Sequence, residues 1–438
     1  MMWKDVYNNK LRTIEEAILS IPKRATVVTG LAAAEAKGFL TELYKYKDHF
    51  EYLRVLTCLD MKEYDFFSQA DSEGVFENHS WFYSPPTRGT LDKGIKTVDF
   101  IPNNLHRAFT DRIVSEKEEG NFIVFWGAVT PMLEKNGFFS LGLSNVYEMD
   151  MMENADMVVL EVNKHMPWTH GETQIHINQA DFVVEKDWEI PALDIVPPSD
   201  LEIKIAEYIT ELVNDGSTIQ IGIGGIPNAV AKLLDNKKNL GVHTEMFTES
   251  MIDLFEKGVI NNSQKTLWKG KFVSAFAMGS QKMYDWLDNN PSVWIMRGKY
   301  VNNPYVIAQN DNMVSINTAI SIDLTGQVCS EAFGPKQFSG TGGQLDTHRG
   351  AVMSKNGKGI IALRSTAKKG TISTIVPMLT QGSPVTVPRQ ELDYVVTEFG
   401  TAHLRGKSLG QRVKELVKIS HPDFRENLMK QAKEIGLI

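Results

Sequence analysis

DGSTIQIGIGGIPNAV, residues 215–230, decides the architecture of this chain. Asn214-Asp215-Gly216 closes a preceding helix, and Ser217 to Ile221 is a short β-type run. The glycine-rich turn Gly222-Ile223-Gly224-Gly225-Ile226 follows, and Pro227 suits the first turn of a new helix carrying Val230, Leu233 and Leu234. Upstream, Ile205, Ile209, Leu212 and Val213 recur at i, i+4, i+7 and i+8, one face of a helix. Downstream, Asn239-Leu240-Gly241 leads into a second strand, Val242 to Phe247. Helix, strand, turn, helix, strand at this spacing predicts an α/β fold with a parallel sheet of βαβ units.

The clearest punctuation lies before this stretch, in EIPALDIVPPSD, residues 189–200. Its three prolines disfavour helix and ladder pairing, and Ser199-Asp200 supplies N-cap chemistry for what comes next. A domain boundary is expected near residue 195, giving domains 1–195 and 196–438. The first half repeats the theme. Ile14, Ala17, Ile18 and Ile21 form a helical face, and ATVVTG (25–30) reads as a strand. The small-residue turn Leu31 to Glu35 replaces the glycines, and a second helix leads to the strand-like Tyr52 to Leu56. Two similar α/β halves are the economical reading. Farther on, Ile320, Ile322 and Leu324 alternate with polar residues before Gly326, which predicts an antiparallel hairpin. Leu409, Val413, Leu416 and Val417 mark a late amphipathic helix started by Ser408.

With 438 residues, 42% hydrophobic and 23% charged, the chain has the balance of a soluble protein with a large core. The 46 basic against 54 acidic residues, with no Lys/Arg block, lack the footprint of a nucleic-acid or membrane-surface protein. No run of about 18 apolar residues predicts a membrane span. The N-terminus carries charge without an apolar stretch, so it does not read as a signal peptide. Cys58 and Cys329 have no metal-type spacing and read as buried thiols of a reducing cytosol. A soluble, cytoplasmic protein with no cysteine metal site is the expectation.

Chemistry concentrates where strands end. N–H groups of a glycine turn at a helix N-terminus attract negative charge, and Pro227 rules out a G-x-G-x-x-G dinucleotide fingerprint. The next strand carries His243-Thr-Glu245-Met-Phe247, and ligands in such sheets bind at the carboxyl ends of strands. Glu245 there suits a nucleophile, a base or a metal ligand. On these residues alone, a tight structural turn and a solvated glutamate stand as alternatives. His243 has no second ligand at a metal spacing and reads as a packed histidine. FSGTGGQLD (338–346), with Gly340 to Gly343 as a candidate mobile cover, and the stretches TEFG (397–400) and LRG (404–406) are hard to explain as packing, with a surface loop as the alternative for each.

Taken in order, these stretches resemble the acetyl-CoA hydrolase/transferase family, and within it the 4-hydroxybutyrate and butyryl-CoA:acetate CoA-transferases. The similarity runs through SPPTRG (84–89), NGFFSLG (136–142), EVN (161–163), residues 215–230, HTEMF (243–247), YVNNP (300–304), KQFSGTGGQLD (336–346), STAKKG (365–370), VVTEFG (395–400) and HPDFRENL (421–428). The resemblance implies two related α/β domains of the CoA-transferase (NagB/RpiA-like) fold, with the active site in the interdomain cleft. It implies Glu245 as the residue that becomes a glutamyl-CoA thioester, with Gly222, Ile223, Gly224, Gly225 and Ile226 on the thioester and its oxyanion. Asn302, Gly343 and Lys368 align with positions that contact CoA or the acyl group. Coenzyme A is then a co-substrate rather than a resident cofactor, the partners are acyl-CoA and short carboxylic acids, and the assembly is a homodimer or higher oligomer. Acyl-CoA hydrolysis at the same site, or CoA binding without catalysis, are the rival functions. Departures such as Thr248-Glu249-Ser250 for Ser-Asp-Gly, Ala34-Glu35-Ala36 for Ala-Glu-Pro and Lys23-Arg24 for Gly-Asp leave the acid partner open. CoA transfer needs a carboxylate nucleophile that stays available as its anion, so polar neighbours such as Gln220 are expected around Glu245.

Overall fold

A computed structural model describes residues 2–193 and 197–438. The boundary expected near residue 195 lies outside the described residues. The chain divides into two compact units, Met1–Asp194 with Val273–Tyr300, and Ile195–Phe272 with Val301–Ile438. Residues 273–300 carry no punctuation that marks them off in sequence. They fold with the first unit, where Trp294 and Ile295 pair in parallel with His170 and Gly171.

The first unit is built on eight parallel strands: β1 (Leu11–Arg12), β2 (Arg24–Thr29), β3 (Tyr52–Thr57), β4 (Phe76–Ser80), β5 (Val98–Phe100), β6 (Ile123–Val129), β7 (Met157–Val162) and β8 (Phe182–Glu185). Their order is β1-β8-β7-β6-β2-β3-β4-β5. β6 and β7 are buried along their whole length, as expected of parallel strands covered on both faces. After β2 the chain turns through Ala32–Ala34 into helix α1 (Lys37–Glu42). Glu161 on β7, fully buried, accepts from the N–H groups of Gly38 and Phe39 at the start of α1 and from the indoles of Trp126 and Trp188. Burial pushes its carboxyl up and these four donors pull it back. A buried acid so satisfied ties α1 to the sheet.

The second unit opens with α2 (Asp200–Leu212), capped by Ser199 and Glu202 in a reciprocal box. Strand β9 (Thr218–Ile221) follows, then α3 (Gly225–Leu233) and β10 (Gly241–Phe247). β11 (Met313–Thr318), α4 (Gln344–Met353), β12 (Lys358–Ala362), β13 (Tyr394–Thr397) and β14 (Gly400–His403) continue the unit. The strand order is β14-β13-β12-β11-β9-β10, parallel except for the β13–β14 hairpin. The same opening recurs in both units: β2 pairs with β3 and β6, as β9 pairs with β10 and β11.

Boundaries shift by a residue or two from the sequence expectation. Val213 leaves the helix as its extended C-cap, and α3 starts at Gly225, two residues before Pro227. The expected hairpin is Ser321–Asp323 against Val328–Cys329, with Ile322 and Leu324 buried. Leu409–Ile419 is helical with Ser408 as cap. Cys58 and Cys329 are both buried.

Candidate active site

The second unit brings Glu245, Asn302 and Gly343 together. Glu245 is the fifth residue of β10, near its carboxyl end. Asn302, fully buried, donates from Nδ2 to Glu245 Oε2 at 2.8 Å. The Gly343 N–H also donates to the Glu245 carboxylate. Gly343 is the N-cap of α4, so the helix end adds favourable potential for an anion.

Glycine at 343 is a matter of space. Its φ of −99° suits any residue. A Cβ there, however, would lie 1.9 Å from Glu245 Oε2 and 2.1 Å from Asn302 Nδ2. The glycine lets the backbone reach the carboxylate. Asn303, adjacent in sequence, instead caps the next helical turn by accepting from Tyr305 N–H. That separates the roles of the two asparagines in YVNNP.

Burial is the main influence on Glu245 and lifts its carboxyl to about 7. The Asn302 amide pulls it down, buried Asp346 on α4 pushes it up, and the Gly343 N–H pulls it down again. The carboxyl is therefore poised near neutrality, higher than a nucleophile that stays fully ionised.

Gln220 on β9 belongs to a neighbouring polar cluster. Its Oε1 accepts from Ser315 Oγ at 2.7 Å and from Asn317 Nδ2 at 3.2 Å, and its Nε2 donates to Asn317 Oδ1. Thr347 of α4 sits 3.0 Å from Ser315 Oγ. Its hydrogen bonds thus go to β11 rather than to Glu245, whose carboxylate accepts from Asn302 and Gly343.

Because β9 and β10 are parallel neighbours, the turn Gly222 to Ile226 leaves β9 at the edge where Glu245 stands. Gly224 has φ 118° and ψ −175°, a conformation essentially closed to other residues. A cavity of about 260 Å3 is lined by Ile223 to Ile226, Glu202, Thr318, Ala319, Ala362, Leu363, Arg364, Thr366 and Thr374. Glu202 bridges to Arg364 at 2.8 Å, and Ile223 is 47% exposed, an apolar side chain held out at a helix start. Lys368 is exposed at the turn of the small hairpin Thr366–Ala367 with Ile372–Ser373, two residues beyond the cavity wall. The sequence reading singled out the stretch that ends on Asp346 without giving that residue a role, and it passed over Asn317 and Arg364. Asp346 ends the FSGTGGQLD stretch, and Arg364 immediately precedes STAKKG, so position was the one signal for either.

Among the described residues no group of His, Cys, Asp and Glu is arranged to hold a metal ion. No helix among them is long and apolar enough to cross a membrane.

Residues 1–196 match the acetyl-CoA hydrolase/transferase N-terminal domain, and residues 279–432 match the C-terminal domain of that family. The chain is 42% identical to 4-hydroxybutyrate coenzyme A transferase of Clostridium kluyveri, covering 99% of this chain and 100% of that protein. It is 43% identical to the succinyl-CoA:cyclohexane-1-carboxylate CoA transferase of Geobacter metallireducens, over 85% of this chain and 84% of that one. The crystal structure of RipA from Yersinia pestis matches with a TM-score of 0.93 and 37% identity over the full length of both chains.

Proposed function

The chain belongs to the acetyl-CoA hydrolase/transferase family, and from that premise we propose that Glu245 carries CoA between two carboxylic acids as a covalent thioester. The enzyme is a CoA-transferase. The observation that supports Glu245 most directly is the convergence of the Asn302 amide and the Gly343 N–H on a carboxylate at the end of β10.

The ionised Glu245 attacks the thioester carbonyl of acyl-CoA. A C–O bond forms, the C–S bond breaks, and CoA leaves as thiolate, with an acyl–glutamyl anhydride remaining. The thiolate then adds to the glutamyl carbonyl carbon and expels the first acid as its carboxylate, which gives glutamyl-CoA. A second carboxylate runs the steps in reverse, so protons balance without a general acid. As the thiolate adds, negative charge develops on a glutamyl oxygen. The donors already set on that carboxylate are placed to stabilise it, and one such donor is typically worth about 3 kcal/mol. A pKa near 7 leaves about half of the sites ionised at neutral pH, enough to react without a base.

The cavity walled by the glycine turn, Arg364 and Thr366 is where the CoA thioester enters in this reading, with Lys368 at its rim. The acids are short carboxylates of the acetate, butyrate and 4-hydroxybutyrate kind. Relatives at 42% and 43% identity are named for acids as unlike as 4-hydroxybutyrate and cyclohexane-1-carboxylate, so the CoA half of the site is the shared part. In this reading the protein is cytoplasmic, works as a homodimer or higher oligomer, and takes CoA as co-substrate with no cofactor held permanently.

Kinetics with acetyl-CoA or butyryl-CoA, with and without added carboxylate, test the assignment. Transferase action predicts acyl-CoA consumption that depends on the acid and forms the new thioester in equal amount. Release of free CoA at the same rate without any acid would assign hydrolysis instead.

A further inference from the structure

His243 stands two residues before Glu245 on β10, so the two side chains leave the same face of the strand. They grip consecutive residues of one segment. Glu245 accepts from Asn302, and His243 Nε2 lies 2.8 Å from the carbonyl oxygen of Val301. A carbonyl only accepts, so Nε2 carries the proton. The ring is buried at 1% exposure, and its Nδ1 has no hydrogen-bond partner among the described residues. Leaving a buried nitrogen unpaired destabilises the fold, which an apolar residue would avoid. A histidine kept at that cost is explained by the bond its other nitrogen makes.

We propose that His243 is a positioning residue for the transfer reaction, holding the Asn302 amide on the Glu245 carboxylate through its bond to the Val301 carbonyl. The proposal rests on Glu245 being the nucleophile. Asn303 anchors the other side of Asn302 by capping the following turn, so the segment is fixed at both flanks. The charged groups set against the pair are Asp346 on α4, which raises Glu245, and Lys265, whose Nζ bonds the carbonyls of Val242 and Lys271. Burial first, and Lys265 second, push the His243 pKa down to about 3. The ring is therefore neutral, in one tautomer, around neutral pH.

His243→Leu keeps the bulk and removes the bond. Asn302 then drifts, and displacements of about 1 Å at a reacting group cost up to about 100-fold. The expected result is a fall in kcat of about 10- to 100-fold with KM within about threefold. The acid limb of the kcat/KM profile should also move above 7, because the Asn302 amide is the larger of the two hydrogen bonds that hold the Glu245 carboxyl down. His243→Gln places an amide N–H at about the reach of Nε2 and should restore most of both. In a double-mutant cycle, His243→Leu should add little to Asn302→Ala. Unchanged kcat and acid limb in His243→Leu, with a lower Tm alone, would overturn the proposal, as would His243→Gln being as impaired as His243→Leu. If His243→Leu does not fold, His243→Asn, whose amide stops short of the Val301 carbonyl, is read in the same way. Borohydride trapping on wild-type protein is run alongside. Absence of a Glu245 adduct there would defeat the nucleophile assignment itself, whereas a normal adduct with an unmoved variant would defeat the positioning role alone.

Discussion

Gly343→Ala adds one methyl group where the site has no room. The new Cβ would sit 1.9 Å from Glu245 Oε2 and 2.1 Å from Asn302 Nδ2, and real Cβ contacts stay above 3.0 Å. Oε2 and Nδ2 must therefore each retreat by about 1 Å, which pulls apart the carboxylate and the amide that holds it. Both obstructing atoms are ends of side chains and φ is −99°, so the fold absorbs the change. Stability should shift by no more than about 1 kcal/mol, the usual size of an N-cap glycine replacement. The chemistry does not absorb it. A displacement of this size at a nucleophile is worth about 100-fold, or about 2.7 kcal/mol in the barrier. The assay is exchange of CoA from butyryl-CoA into isotopically labelled acetate, with thermal unfolding on the same preparation. A kcat/KM at least about 100-fold lower at near wild-type Tm is expected. Wild-type kcat/KM within threefold would refute the close approach of residue 343 to the reacting carboxylate.

Glu245 is held at about 7 in the fold against 4.5 for a free side chain. As pH falls through 7 it protonates, so kcat/KM should drop with unit slope on an acid limb near 7; a limb near 4.5 would contradict the burial argument. Between 4.5 and 7 the folded chain keeps a proton that the unfolded chain has released, so stability falls as pH rises through that window. Glu245→Gln should accordingly be more stable than wild type by about 2 kcal/mol at pH 8, allowing for partial solvation, with Tm values converging toward pH 4.5. Gly224→Ala forces a side chain into a conformation worth about 1–3 kcal/mol of strain; the KM for acyl-CoA should rise about 10-fold or more, and an unchanged KM would remove the turn from the CoA site. In the first unit, Glu161→Gln replaces one carboxylate oxygen by an NH2 that faces two of the four N–H donors, and should cost about 3 kcal/mol, read by urea unfolding. A loss below 0.5 kcal/mol would mean that the acid does not tie α1 to the sheet.

The parallel architecture was legible because buried strands and glycine turns leave local marks. ATVVTG and STIQI are short β-type runs, and each is followed by a small-residue turn and a helix. Glu245 was legible as a carboxylate at a strand end, while its role as nucleophile came only from the family resemblance. What local pattern could not give is which distant groups meet it. Asn302 and Gly343 lie 57 and 98 residues away, and Gly343 matters for a hydrogen atom in place of a Cβ. Gln220 illustrates the converse. It sits on the adjacent strand with suitable chemistry, yet Ser315 and Asn317 on β11 take its hydrogen bonds. His243 read as a packed histidine from sequence; its bond to Val301 belongs to a contact 58 residues off that no periodicity reports.

The central claim is that Glu245 becomes a thioester of CoA. Incubating the protein with butyryl-CoA without an acceptor acid, reducing with borohydride and mapping peptides by mass spectrometry tests it directly. Reduction confined to the peptide containing Glu245, and lost when acetate is added before the borohydride, is the predicted result. Full CoA exchange with no modification at Glu245, or with the adduct on another residue, would contradict the account.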